Sequence, residues 1–207
     1  MPIIASENVK SKYPPIPEGQ YTAICYAVID EGMQYSELYQ KHQRKVRLMW
    51  ELPDEKIEVD GKMKPRSTGK EYTLSLNEKG NLYKDLIAWR GKAFTKEELE
   101  GFDLRNILGK PCLMQIVHAT NNGNTYANIS GLMAMPKGMA APYPVNSLIY
   151  LDWDADDFMA TLASLPDWIS DVVKRAQGYE ERAFAVHDET IHDEDVPFFM
   201  KDEELAF

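Results

Sequence analysis

Segments in which apolar and polar residues alternate constrain the fold of this chain most, because a period of two is typical of a half-buried strand. The alternation is clearest from Arg44 to Leu52 and recurs from Lys70 to Leu76. Gln20 to Ile29 is rich in β-branched and aromatic residues and predicts a first strand that ends at Asp30. The polar stretch from Glu31 to Gln43 is then expected to connect the first two strands.

The period changes after the third predicted strand. Asn81 can cap a short amphipathic helix, in which Leu82, Leu86 and Trp89 recur at helical spacing before Gly91. A second helical turn is expected to start at the capping box formed by Thr95 and Glu98.

Two further strands are predicted from Cys112 to His118 and from Thr125 to Met133. The Asn-Gly pair inside Asn121 to Asn124 joins them as a hairpin. The order of three strands, a helix and two strands is the order of a five-stranded OB-fold Greek-key barrel, although other small barrels and mixed α+β folds can produce it. We therefore predict a mainly β fold with helices that contains such a barrel.

The prediction divides the chain into four parts. Residues 1–18 form an extended N-terminal lead-in, and residues 19–139 form the OB-fold domain. Residues 140–186 form a C-terminal extension, with a strand at 148–151 and helices at 156–164 and 166–178. Residues 187–207 form a flexible acidic tail, because they are acidic and lack periodicity.

The formal charge of −10 argues against nucleic-acid binding until its distribution is considered. Residues 1–139 hold 19 Lys and Arg against 17 Asp and Glu, whereas residues 187–207 hold one basic and eight acidic residues. The body is thus slightly basic.

The chain has no long apolar run and no secretory leader, so a cytoplasmic location is expected. Cys25 and Cys112 lack metal-site spacing and are predicted to be buried thiols.

Rings and cations concentrate around the second predicted strand. Binding single strands without sequence preference needs cations for phosphates and flat rings on which bases stack. Tyr35, Tyr39, Lys41, Lys45 and Arg47 share one parity and are expected on the face opposite Val46, Leu48 and Trp50. The full set of predicted nucleic-acid-binding residues is Tyr35, Tyr39, Lys41, Arg44, Lys45, Arg47, Arg66, Lys70, Asn121, Asn124 and Tyr126. The alternative is an ordinary solvated surface, since Lys and Arg also protect sheet edges from aggregation. Trp50, Tyr72 and Trp89 are expected in the core.

Near the C-terminus, an acidic segment runs into Pro and Phe. Flexible carboxylates before an apolar anchor suit reversible docking in a basic-rimmed pocket. The predicted docking residues are Asp193, Glu194, Asp195, Val196, Pro197, Phe198 and the final Phe207. The segment resembles the acidic tip of bacterial single-stranded DNA-binding proteins, which recruits replication and repair enzymes. In those proteins the Phe is the last residue, whereas here Phe199 to Phe207 follow.

The chain also resembles phage and prophage single-stranded DNA-binding proteins in Gly109-Lys110-Pro111, in Tyr126 to Ile129 after the Asn-Gly turn, and in Leu165 to Ile169. This resemblance implies a cytoplasmic, cofactor-free protein of a bacterial host cell that coats single-stranded DNA during phage replication or recombination. The acidic tail would recruit partner enzymes, and homo-oligomers are possible. The competing hypothesis is a phage structural or adaptor protein whose barrel contacts protein.

Enzymatic function is not expected. The sequence has no phosphate-binding loop, nucleophile elbow or zinc-protease motif. His187, Asp188, His192, Asp193 and Asp195 could be drawn as a metal cluster, but a tail without rigid support rarely holds one. We expect neither a metal nor a membrane partner.

Overall fold

A computed structural model describes residues 13–189 of the chain, with side chains described to residue 184. The strands are β1 (Gly19–Ser36), β2 (Lys41–Val59), β3 (Lys62–Thr73), β4 (Pro111–Asn121), β5 (Asn124–Met133) and β6 (Ile149–Leu151). The helices are α1 (Asn81–Arg90), α2 (Lys96–Glu100), α3 (Phe158–Ala163), α4 (Asp167–Lys174) and α5 (Tyr179–Glu189), and a 3-10 turn covers Leu104–Ile107.

The strands form one sheet in the order β3-β2-β1-β4-β5, with every neighbouring pair antiparallel. β4 pairs with β1 only from Gly19 to Ile24, and β6 then continues along the same edge of β1 in parallel, at Ala27 to Ile29. The fold is therefore mainly β with helices, as predicted. The closed five-stranded barrel was wrong, because β3 and β5 do not pair with each other in the described part of the chain.

The seam between β3 and β5 is filled by other segments. Helix α1 packs its Leu82, Leu86 and Trp89 into the core, and Ala134 after β5 donates its N–H to the Ala88 carbonyl at 3.0 Å. These contacts put a helix where the two edge strands of a barrel would meet, which explains why the sheet stays open.

The residues before β1 also help to close the core. Ile16 is buried with the core residues, and its carbonyl lies 2.8 Å from the His118 ring nitrogen Nε2. Arg66 donates to the Pro14 carbonyl at 3.0 Å, which ties the same segment to β3. The predicted lead-in therefore contributes Ile16, near its end, to the core.

The predicted strands were shorter than the observed ones on both sides of the first two turns. β1 runs to Ser36 and β2 starts at Lys41, so most of the predicted connection from Glu31 to Gln43 is strand. β2 and β3 are joined by Asp60 and Gly61 alone, both with positive φ (51° and 74°), as a two-residue hairpin turn requires.

Two apolar clusters lie on opposite faces of the sheet. The first contains Val46, Leu48, Trp50 and Tyr72 from the sheet and is covered by α1. The second contains Ala27, Ile29 and Met49 and is covered by α3 and α4 through Phe158, Leu162, Ile169 and Val173. The buried positions predicted for Trp50, Tyr72, Trp89 and both cysteines are confirmed.

The C-terminal extension differs in detail from the prediction. The helix expected at 166–178 is α4 and ends at Lys174, whereas α5 was not predicted and continues from Tyr179 through residues 187–189, which were assigned to the tail. Residues 134–148, the strap, lead from β5 to β6. Within residues 13–189 no helix combines the length and apolarity that a bilayer crossing demands.

Candidate nucleic-acid interface

The predicted cations do not share one surface. Directly opposed residues of an antiparallel ladder lie on the same face of the sheet. Lys70 opposes Leu48, and Arg66 opposes Leu52. Both residues therefore lie on the sheet face that carries the first apolar cluster. Lys45 and Arg47 lie on the opposite face, as their alternation with Val46 and Leu48 predicted. The structure therefore does not bring these residues together into one groove.

Arg47 is held in a largely buried ion-pair network. Its Nε donates to Glu31 Oε1 at 2.5 Å and its Nη2 donates to Glu71 Oε2 at 3.2 Å. The exposed ring of Trp168 in α4 lies 5.5 Å from the guanidinium. Burial raises the pKa of the Glu31 carboxyl above its usual value, although the charge of Arg47 opposes the shift. The guanidinium of Arg47 is therefore already bonded to carboxylates of the protein itself, beneath α4.

Three more of the predicted cations have acidic neighbours. Lys45 Nζ lies 3.4 Å from Glu71 Oε1, and Arg44 Nη2 lies 2.5 Å from Asp30 Oδ2. Lys70 Nζ lies 2.7 Å from Asp85 Oδ2, which also accepts a bond from the Tyr72 hydroxyl at 2.8 Å and so links β3 to α1. These contacts give the residues a structural role.

Arg66 is 9% exposed and lies 3.9 Å from Glu55 Oε1, besides its bond to the chain start. A guanidinium this deeply buried cannot meet a phosphate without a rearrangement of the residues around it. Arg66 therefore belongs to the closure of the core.

The hairpin that joins β1 and β2 presents the predicted tyrosines to solvent. Tyr35 is 57% exposed, Tyr39 63% and Leu38 83%. Lys41 is exposed at the start of β2. Tyr35 opposes His42, with 5.3 Å between the ring centroids, and lies on the face of Arg44; the parity that grouped it with Lys41 and Lys45 was wrong. Residues 33–44, the first hairpin, extend past the register of β3, which ends opposite Lys45.

The β4–β5 hairpin presents the other predicted group. Asn121 opposes Asn124, and Tyr126 opposes Ala119, so these side chains share one face with Asn128. Tyr126 is 51% exposed, and Asn121 and Asn128 are also exposed. Asn122 and Gly123 both have positive φ (49° and 77°), which the predicted Asn-Gly turn requires. Residues 117–128, the second hairpin, therefore carry an aromatic ring flanked by amides.

A charge pattern that the sequence interpretation missed strengthens this surface. Residues 104–151 hold no Asp or Glu, whereas 33 of the 207 residues of the chain are acidic. Within that range lie the whole β4–β5 hairpin, the strap and β6. A count of carboxylates along the chain, instead of net charge by segment, would have found this region. Its own side chains therefore carry no negative charge that would repel phosphates, although the Glu18 carboxylate accepts from the His118 N–H at 2.6 Å.

The two hairpins leave the sheet at opposite ends of β1. The first hairpin follows the end of β1, while β4 extends beyond Gly19, which opposes Ile116. A strand of 18 residues spans at most about 60 Å. A ligand that contacts both hairpins therefore has to run along the sheet.

The predicted docking residues Asp193 to Phe198 and Phe207 lie outside the described residues. Among residues 13–189 no group of three or more His, Cys, Asp or Glu side chains is placed to hold a metal ion. Comparison of the chain with models of known protein families and with curated proteins finds no match.

Proposed function

We propose that this protein binds single-stranded DNA without sequence preference, through the exposed tyrosines of its two projecting hairpins. One observation carries the proposal: residues 33–44 and 117–128 together contain Tyr35, Tyr39 and Tyr126, each more than half exposed, and a single acidic residue, Glu37. Stacking on exposed rings tolerates every base, and a surface with few carboxylates lets the phosphate backbone approach.

The strand order supports the proposal from the side of the fold. β3-β2-β1-β4-β5 is the order of an OB fold before its third and fifth strands meet, and the helix α1 follows β3 as in that fold. In OB folds the loops between strands one and two and between strands four and five flank the oligonucleotide. These are the positions of the two hairpins. We propose an OB-like sheet whose closure is taken over by α1 and the residues before β1.

The role follows from this binding mode. A protein of the phage or prophage type would coat transiently exposed strands in replication or recombination. Its acidic C-terminal residues would recruit partner enzymes, because carboxylates before an apolar anchor favour reversible docking.

The test is fluorescence anisotropy with labelled oligo-dT at low salt, using Tyr126→Ala and the double variant Tyr35→Ala/Tyr39→Ala. Each base stacked on a ring contributes about 1–3 kcal/mol, so Tyr126→Ala should weaken binding about 5- to 150-fold, and the double variant at least as much. The matched control is Tyr143→Ala, because Tyr143 is 87% exposed in the strap, outside both hairpins. Unfolding curves should show that all variants are as stable as the wild type.

Two results would contradict the proposal. One is no binding of oligo-dT by the wild-type protein at low salt, which would favour the adaptor hypothesis. The other is a loss of affinity in the hairpin variants no greater than the loss in Tyr143→Ala.

A further inference from the structure

A basic cleft opens at the base of the β4–β5 hairpin, at the end opposite its turn. It has a volume of about 450 Å³ and lies where α1 ends, next to the start of β4. The residues that matter for its chemistry are Trp89, Arg90, Lys92, Lys110, Pro111 and Met135. We infer that this cleft binds one nucleotide of the same DNA strand that contacts Tyr126. This inference rests on the proposed function and adds the path of the strand.

The charge of the cleft favours an anion. Lys92 and Lys110 are exposed, and neither makes an ion pair or a side-chain hydrogen bond within residues 13–189. Glu98 is the one carboxylate on the lining, and it is paired with Arg90 Nη2. Two lysines are therefore available for phosphate oxygens. Neither forms an ion pair as Lys45, Arg47 and Lys70 do, although the charge of Lys92 also acts on Glu98.

Arg90 adds a fixed guanidinium to the wall of the cleft. Its guanidinium lies 4.3 Å from the Phe94 ring centroid and 4.9 Å from that of Phe102, so its position is set by the two rings. Its Nη1 is buried and has no hydrogen-bond partner among the described residues. A buried donor without a partner is costly, but a ligand acceptor would satisfy Nη1 only after the residues around it move, as for Arg66.

The walls of the cleft are apolar and suit a base. Trp89 is fixed by a bond of 2.8 Å from its Nε1 to the Pro111 carbonyl, and Met135 is half-buried. A volume of about 450 Å³ lies within the range of small-ligand sites, roughly 300–1,000 Å³. One nucleotide fits, with its phosphates directed to the lysines at the rim.

A continuous surface connects the cleft to Tyr126. Along the outward face of the hairpin, Asn128 opposes Val117 and Met133 opposes Leu113, and the chain then enters the cleft at Pro111 and Met135. Val117 and Met133 are 37% and 39% exposed, and residues 104–151 hold no acidic side chain along this route. Tyr126 and Met135 are nine residues apart, so the route is at most about 31 Å long. Continuity favours a nucleic acid strand over a separate acidic peptide, although both are anionic.

The variant Lys92→Gln/Lys110→Gln tests the inference by oligo-dT titration at several salt concentrations. Loss of two phosphate contacts should reduce the slope of log affinity against log salt by about 1.4, because each contact on a single strand contributes about 0.7. The control Lys79→Gln/Lys174→Gln removes the same charge from exposed lysines before α1 and on α4, and should leave the slope within 0.3 of the wild type, roughly half of one contact.

A second readout reports on the site itself. In protein labelled with ¹³C at the methionine methyl groups, oligo-dT should shift the NMR signals of Met133 and Met135. The signal of Met63, which is 63% exposed on the β2–β3 hairpin, should not move. Replacement of Met135 by Leu assigns its signal.

The outcomes separate the two claims. If oligo-dT binds the wild type but the Lys92/Lys110 variant keeps the full salt slope and Met135 does not shift, the cleft inference fails while the proposed function stands. If the wild type does not bind oligo-dT, both fail. If Met135 shifts with the peptide Asp-Glu-Asp-Val-Pro-Phe-Phe and not with oligo-dT, the cleft is a peptide site and the inference is overturned.

Discussion

Replacement of Glu51 by Gln should destabilise the protein by detaching the strap from β2. Glu51 is fully buried, and its carboxylate accepts three bonds from the strap. Oε1 accepts from the Val145 N–H at 2.6 Å, and Oε2 accepts from the Asn146 N–H at 2.9 Å and from Asn146 Nδ2 at 2.5 Å. A Gln side chain keeps one acceptor oxygen and turns an N–H₂ group toward the remaining donor.

The size of the effect follows from these bonds. One charge-assisted bond is lost, at about 1.5–3 kcal/mol, and the other two fall to neutral strength, so the free energy of unfolding should drop by about 3 kcal/mol. In a chain of this length that corresponds to a melting temperature lower by about 6–12 °C.

Urea and thermal unfolding followed by circular dichroism measure this loss. Glu58→Gln is the matched control, because Glu58 is an exposed carboxylate of the same strand and should change stability by less than about 0.5 kcal/mol. A melting temperature of Glu51→Gln equal to that of the control would refute the idea that the carboxylate anchors the strap.

Three further predictions concern the interior. Because burial raises the Glu31 pKa, the folded state holds this proton at higher pH than the unfolded chain, and the contribution of Glu31 to stability falls as the pH rises through the folded-state pKa. The stability of Glu31→Gln relative to wild type should therefore increase between pH 4 and pH 7 in denaturant titrations, and a decrease would contradict the assignment. Burial raises the pKa of Cys112 to about 12 and that of Cys25 further, so neither thiol should react with a disulfide reagent at pH 8 until urea unfolds the protein. Ile16→Ala should lower the free energy of unfolding by about 2–4 kcal/mol, because it removes a buried side chain at the open end of the core. Pro15 beside it is exposed, so Pro15→Ala should be near neutral in the same melts.

The sequence predicted the kind and order of the elements better than their ends. Alternation through Val46, Leu48 and Trp50 identified β2, and the Asn-Gly turn identified the β4–β5 hairpin. The first hairpin was missed because Glu31 to Gln43 is polar, and from Met33 to Gln43 the hairpin has no buried side chain to impose alternation. The Asp60-Gly61 pair is a hairpin signal, but it lies between Leu52, where the predicted second strand ends, and Lys70, where the third begins.

Closure of the sheet and the state of the cations could not be predicted from local patterns. Whether β3 and β5 pair depends on where α1 packs, which is a tertiary property. Arg47 and Lys70 have the same local appearance as solvated strand residues, and only the pairing of β1 with β2 brings Arg47 to Glu31, as only the packing of α1 brings Asp85 to Lys70. The exposure of Tyr35, Tyr39 and Tyr126 agrees with the residue types chosen for the site, although the sheet separates them into two groups.

β1 supplies alternate side chains to both apolar clusters: Val28 packs toward α1, while Ala27 and Ile29 pack toward α3 and α4. A truncation before α3 would leave Ala27, Ile29 and Met49 facing water on an otherwise intact sheet. Such a shortened protein should aggregate, and the full-length chain should melt in a single cooperative transition. The C-terminal helices are for this reason unsuitable as a cut site when minimal fragments are made.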